Sequence, residues 1–463
     1  MREDPIAMKN KRKKDRKAAS ERGGPFRILF IHQNFPSPYW NIASYYAANP
    51  NVQVAAVGDK ANLMAREPVP NVARFGYDMP PGAAESADPL AADYEVHVRR
   101  GRAAAGILRD LRERDFVPDL ICVNPDWGEG MFIRSVYPDT PILAYAEMYF
   151  HPDSPDLDFD PAFPVPDEGR RLAVSRNAAR AMALAEADHL QTPTRWQYAM
   201  LPAAFRDRAS ILHEGIDSDF AKPNSWATFT VPPAAKVARP ENAPLPDYVP
   251  EREKSLILDG KMEIVTFISR TLEPFMGWHS FSKALPLIQK RHPGAHCVIV
   301  GRTSGGYGAQ PPEGGNWRDI YLEEVRDKLD FSRLHFLGNV SRQAVVKLLA
   351  LSRAHVYLTY PHVLSRSPLE AMSCGAPLVA SATGPVLEVA ADGENALLVD
   401  FFSPEAIADA VSRLLSDESL RAKLGAAGRA HIIDGYDMKR VWLPRWNNVI
   451  RALARGEKMD AAQ

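Results

Sequence analysis

Cysteine is scarce in this sequence. Cys122, Cys297 and Cys374 are the three thiols of 463 residues; far apart and each beside apolar neighbours, they exclude a disulfide framework or a zinc-type spacing and read as buried thiols in a reducing, cytoplasmic setting. Net charge is scarce as well. Lys and Arg total 56 against 57 Asp and Glu, so the chain as a whole has no attraction for nucleic acid or acidic membrane, and charge must act locally. No apolar run approaches the roughly 18 residues that a membrane-spanning helix requires. In place of an apolar leader core there is a block of cations, KNKRKKDRK from Lys9 to Lys17, which reads as a solvated tail or a weak peripheral contact for the inner face of an anionic membrane. The glycines of a dinucleotide fold are missing after the first apolar run, so nicotinamide and flavin enzymes lose their main support.

What is present is an ordinary globular composition, 46% hydrophobic and 24% charged, in a chain long enough for two large domains. FRILFI (26–31) is a short apolar run fit for a buried parallel strand, and similar runs recur at 52–57, 120–123, 142–146, 189–191 and 211–213 with helical stretches between several of them. Strand and helix in alternation argue for doubly wound parallel sheets. The clearest helix spans 169–187, and the Pro- and Asp-rich stretch 145–166 reads as a long loop. A proline-rich stretch without period marks an interdomain connection over 230–260. The expected organisation is a basic tail (1–24), a first Rossmann-like domain (25–229), the connection, a second such domain (261–437), and an amphipathic helix (438–463) that packs back on the first domain or rests on a membrane surface.

The second half carries the local chemistry. In HVYLTYPHVLSRSPLEAMSCGAPLVAS (355–381), Ser367 reads as an N-cap, Pro368 as the first helical residue and Glu370 as the partner of a capping box. A helix start also presents unpaired N–H groups and partial positive charge to an anion, with Arg366 one residue before it. From local pattern alone, the segment describes a capped helix better than it describes a site. Two other strand ends carry arginine: Arg270 after EIVTFI, and Arg302 after HCVIVG, which opens a loop rich in glycine (301–308). Guanidinium groups match phosphate oxygens, and glycine allows backbone N–H groups to approach them. In the first half, His32, Gln33 and Asn34 follow the first strand, and Glu147, Tyr149 and His151 follow the run at 142–146; these are candidate ligand contacts, since ligands of open sheets bind beyond strand C-termini.

Together these segments carry a resemblance. Over about 264–415, through LEAMSCGAPLVAS, DGENALLVD, SPEAIADAVSRLL and FLGNVS, the chain resembles the donor domain of retaining family 4 glycosyltransferases of GT-B fold. ILFIHQNFPSPYWNIA, ILHEGID and RTLEPFMGWHSF resemble a bacterial subgroup of that family. The resemblance implies two Rossmann-like domains facing across a cleft, a nucleotide diphosphate sugar as co-substrate, a glycan, lipid-linked or small-molecule acceptor, and no metal or other cofactor. Glu370 matches the second of two family glutamates, the one expected on the ribose, and Arg270 the arginine expected on the diphosphate. Main-chain groups of Leu364, Ser365, Arg366 and Ser367 would face the same phosphates or the sugar, beside Gly301 and Arg302, and Glu388 matches a glutamate after the next strand. Two positions depart from the pattern: His362 stands where the first glutamate falls, and Met276 where a basic residue is usual. They motivate a second reading, a non-catalytic partner subunit that binds nucleotide or glycan; an epimerase of similar architecture is a third.

Overall fold

A computed structural model of the chain describes residues 24–79, 88–233, 254–457 and 459; the basic block at 9–17 and most of the 230–260 stretch lie outside them. The chain divides into two units, Met1–Gly215 with Met438–Gln463, and Ile216–Asp437.

The first unit is built on seven parallel strands: β1 (Phe26–Ile31), β2 (Val52–Asp59), β3 (Val72–Tyr77), β4 (Leu120–Val123), β5 (Ile142–Tyr145), β6 (His189–Thr192) and β7 (Ala209–Ile211), in the order β3-β2-β1-β4-β5-β6-β7. A strand covered on both faces must be apolar at successive positions, and β1 is. Its Ile28 and Phe30 enter one core with Tyr39, Ile42 and Leu120, while Leu29 and Ile31 enter another with Leu108, Ile121 and Ile133. The first core is closed by the chain's last helix, Leu443–Ala454, through Trp446, Val449, Ile450 and Leu453, all buried. That burial removes the apolar face which the sequence left open to a membrane surface. A turn of π-helix, Met438–Trp442, precedes that helix.

One helical expectation is corrected and one helix was not anticipated. The expected 169–187 helix is two helices, Asp167–Ser175 and Asn177–Glu186. Between them the Asn177 side chain accepts the N–H of Phe150 (3.0 Å) and donates to its carbonyl (2.7 Å), while Arg176 pairs with Asp93 (2.9 Å), tertiary contacts that override a continuous run of good helix formers. The 25-residue helix Pro89–Glu113, capped by Asp88, went unread because its Val, His, Arg and Ala mixture shows little amphipathic period.

The second unit begins with a small antiparallel pair, β8 (Thr228–Val231) and β9 (Leu256–Asp259). The ends of the expected 230–260 connection therefore belong to this unit, and the chain passes between units at 215–216 and 437–438 instead. Six parallel strands follow: β10 (Glu263–Thr271), β11 (Ala295–Arg302), β12 (Leu334–Phe336), β13 (Ala354–Tyr357), β14 (Leu378–Ser381) and β15 (Leu397–Val399), in the order β12-β11-β10-β13-β14-β15. The helix after β11, Trp317–Glu323, ends before a separate 3-10 turn. In both sheets the order reverses beside the first strand, between β1 and β4 and between β10 and β13. Such a switch point splays the flanking connections to opposite faces and opens a crevice at the strand C-termini.

Candidate functional site

The crevice of the second unit is shaped by a fault in β10. Ile268 pairs with Val300 and Thr271 with Arg302, so two residues, Ser269 and Arg270, stand opposite Gly301 alone. Such a bulge re-aims side chains, and Arg270 emerges exposed. Its Nη1 donates to the Tyr307 hydroxyl (2.5 Å) and its guanidinium lies 4.8 Å over the Tyr307 ring. A Cβ on Gly301 would come within 2.8 Å of the Leu272 side chain. Arg302 is exposed at the end of β11.

The glycine loop is held by a residue the sequence did not single out. Glu273, 2% exposed, accepts the N–H groups of Tyr307 (3.1 Å) and Gly308 (3.0 Å) and the hydroxyl of Thr271. A Cβ on Gly306 would lie 2.1 Å from the Glu273 carboxylate. His362 packs against the Phe275 ring (centroids 5.4 Å apart) and lies 6.4 Å from that of Tyr307, so Arg270, the loop and His362 line one patch. Met276, half-buried, ends the short 3-10 turn beside it.

The helix start is displaced from its expected place. The helix runs Arg366–Ser373 and its cap is Ser365, whose hydroxyl accepts the Ser367 N–H (3.3 Å). The Ser365 N–H is donated to the Tyr357 hydroxyl (3.1 Å), a contact from β13 that fixes the helix register two residues earlier. Pro368 then falls in the first turn, where its missing N–H costs nothing, and Ser367 reaches the carbonyl of Ile268 (3.4 Å). Leu364 packs into the core of the unit.

Glu370 is not a capping-box residue. It is 7% exposed, and its Oε1 accepts Nε (3.2 Å) and Nη2 (3.0 Å) of Arg342 and Nη2 of Arg366 (3.1 Å). Its Oε2 has no hydrogen-bond partner among the described residues. Arg342 also stacks at 4.8 Å over the Phe220 ring. Neither Arg342 nor Phe220 was legible as a site residue, because 28 positions separate Arg342 from Glu370 and no local pattern joins them. Glu388, half-buried, follows the short helix Gly384–Leu387 beyond β14.

The first unit has its own cluster at the matching strand ends. Glu147 follows β5; its Oε2 lies 3.5 Å from the Asn124 amide and its carbonyl accepts the Gln197 side chain (2.6 Å). Burial, then the carboxylates of Asp126 and Glu214, push its carboxyl up to about 7. Asp126 is itself paired with buried Arg180 at 2.5 Å, and Glu214 accepts the Tyr145 hydroxyl. Glu214, Tyr145, Tyr39 and Trp446 line a small cavity. His32 is buried with Nδ1 accepting the Asn34 N–H (2.8 Å), and burial with the nearby Arg66 and Arg100 lowers its pKa to about 3, so it is neutral at physiological pH. Asn34 also accepts from Arg66 (3.1 Å); Gln33 is buried. Tyr149 packs against His151 and Phe205, and His151 is tied to the carbonyl of Met200 (2.7 Å). Glu147 and the β1 residues thus sit at strand ends, while Tyr149 and His151 belong to the loop packing beyond them.

Two parallel, doubly wound units of this kind make a GT-B fold. Among solved structures of similar fold are Anabaena HepE in complex with UDP and glucose (16% identical, TM-score 0.61, covering 92% of this chain and 99% of that one), and sucrose-phosphate synthase from Thermosynechococcus elongatus (17% identical, TM-score 0.66, 93% and 99%). Residues 50–221 match the Glycosyl transferase family 4 group and residues 250–431 the Glycosyl transferases group 1, and the chain belongs to this family 4 type of glycosyltransferase. The D-inositol 3-phosphate glycosyltransferase of Corynebacterium jeikeium is 30% identical over 225 residues, 48% of this chain and 50% of that protein. The phosphatidyl-myo-inositol mannosyltransferase of Mycolicibacterium smegmatis is 30% identical over 196 residues, 42% and 44%. The chain thus spans about half the length of the curated relatives it matches.

Proposed function

We propose that this chain moves a sugar from a nucleoside diphosphate sugar to a glycan, lipid-linked or small-molecule acceptor, with retention of anomeric configuration. The observation that carries this reading is Glu370, which holds two guanidiniums on Oε1 and keeps Oε2 open at the switch point of a doubly wound sheet. In this reading Oε2 accepts the ribose hydroxyls. Arg270, once its bond to Tyr307 yields, and Arg302 meet the diphosphate, with backbone N–H groups around 364–367 close by. Charge growing on the leaving diphosphate is then met by groups already in place, the arrangement that lowers a transition state most, and a diphosphate oxygen takes the acceptor proton. The reading requires no metal ion. His362 and Glu388 border the transferred sugar, and Glu147, with the residues after β1, faces the acceptor.

HepE is solved with UDP-glucose, which supports the donor class; relatives named for inositol 3-phosphate and phosphatidyl-myo-inositol support a small or lipid-linked acceptor. The test is nucleoside diphosphate release from a panel of UDP, GDP, ADP and dTDP sugars. One donor should support turnover, and Arg270→Ala or Glu370→Ala should lower donor affinity about 10- to 100-fold, the worth of a charge-assisted hydrogen bond. Failure of the folded protein to bind any nucleoside diphosphate would sink the proposal.

A further inference from the structure

We infer that Arg342 is a positioning residue for the nucleoside: it fixes the Glu370 carboxylate so that Oε2 alone is presented to the ribose, and the Phe220 ring holds Arg342 in place. The inference rests on the donor reading above. Its basis is the way the charges meet. A guanidinium and a carboxylate that serve only each other prefer two parallel hydrogen bonds, one to each oxygen. Here Nε and Nη2 of Arg342 both converge on Oε1, at 3.2 and 3.0 Å, and Nη2 of Arg366 joins them at 3.1 Å. All three donors crowd one oxygen and none uses the other.

Such an arrangement gives up the second parallel bond that a purely structural ion pair would make, and in a residue only 7% exposed it leaves one carboxylate oxygen for a ligand. Two cations on one anion also leave an excess positive charge beside the helix start, which suits a ligand bearing phosphates. The direction of the guanidinium is set from behind: its carbon lies 4.8 Å over the Phe220 ring, and the segment carrying Phe220 is anchored where Ser373, on the Glu370 helix, donates to the Ala221 carbonyl (2.5 Å). One helix therefore carries both the carboxylate and the anchor of the ring that holds its partner. Arg366, four residues before Glu370, would pair with it in any helix; Arg342 comes from a separate helix, Arg342–Leu351, and sets the rotation of the carboxylate.

The test compares ribose with deoxyribose. Isothermal titration of the full chain with UDP, GDP and ADP identifies the preferred diphosphate, which is then titrated beside its 2′-deoxy and 3′-deoxy forms. In the wild type, loss of the contacted hydroxyl should weaken binding about 10-fold or more. In Arg342→Ala that penalty should fall below about 3-fold, while the ribose ligand itself binds about 10-fold more weakly. Arg342→Lys keeps the charge without the planar fork and should recover only part of the penalty; Phe220→Ala, at a residue 39% exposed, should give an intermediate penalty without threatening the fold. An unchanged deoxy penalty in Arg342→Ala and Phe220→Ala, or an equal weakening of ribose and deoxyribose ligands, overturns the inference and leaves the donor reading intact. Absence of any diphosphate binding by the wild type overturns both.

Discussion

A carboxylate surrounded by other carboxylates resists ionisation, and Glu147 shows the consequence at the scale of one residue. Its carboxyl is raised from its ordinary 4.5 to about 7 by burial and by Asp126 and Glu214. The folded chain therefore holds a proton there that the unfolded chain has released between pH 4.5 and 7. By linkage, this group's contribution makes stability fall as pH rises through that window and level off above it. Glu147→Gln removes the effect, so its melting temperature relative to the wild type should rise from pH 5 to pH 8; a constant difference across that range would contradict the assignment. Activity offers a second readout: on the acceptor-side role proposed for Glu147, its titration near 7 should give the rate a pH dependence that Glu147→Gln abolishes.

At the scale of elements, the crevice of the second unit is bordered by a loop whose backbone is clamped. Glu273 collects the N–H groups of Tyr307 and Gly308, and Gly306 leaves the space the carboxylate occupies. Gly306→Ala forces the two apart. Donor binding should weaken several-fold, with some loss of melting temperature because the buried Glu273 carboxylate must shift; a donor affinity equal to the wild type would show the loop to be remote from the ligand. The cap of the Arg366–Ser373 helix has a simpler consequence. Ser365→Ala deletes the acceptor of the Ser367 N–H and should cost about 1 kcal/mol in urea unfolding, whereas Ser367→Ala, at the position the local pattern favoured, should cost less.

At the scale of the whole chain, the first unit is completed by residues that arrive last. The chain leaves it at Gly215 and returns at Met438, and Trp446, 3% exposed with its indole N–H on the His213 carbonyl (2.9 Å), fills the core above β1 and β4. Trp446→Ala should cost about 3–5 kcal/mol, read as loss of the first unit's transition in thermal unfolding. Acid should destabilise both units. Burial lowers His32 and His355 to about 3 and His97 and His189 to about 4, so each stays neutral in the folded chain while the unfolded chain takes up a proton below 6.5. Stability is therefore lost as pH falls from 6.5 toward 4, and the melting temperature should drop over that range, less so in His355→Gln.

Much of this was legible in the residues because it is local or periodic. Apolar runs such as FRILFI specify strands covered on both faces, alternation of strands and helices specifies two doubly wound sheets, and the arginines and glycines at strand ends fall beside the crevice at the switch point. Tertiary structure decided what depends on residues far apart in the chain. Tyr357 chose Ser365 over Ser367 as the cap, Asn177 broke a helix by bonding to Phe150, and Trp446 buried a face that amphipathicity alone left to solvent or lipid. Glu370 is the clearest case. Spacing made it the third residue after a cap, a role any helix could assign; the approach of Arg342 from another helix made it a carboxylate with one oxygen pinned and one open, because the energy of a buried charge is set by whatever cations the fold brings to it and not by its neighbours in sequence.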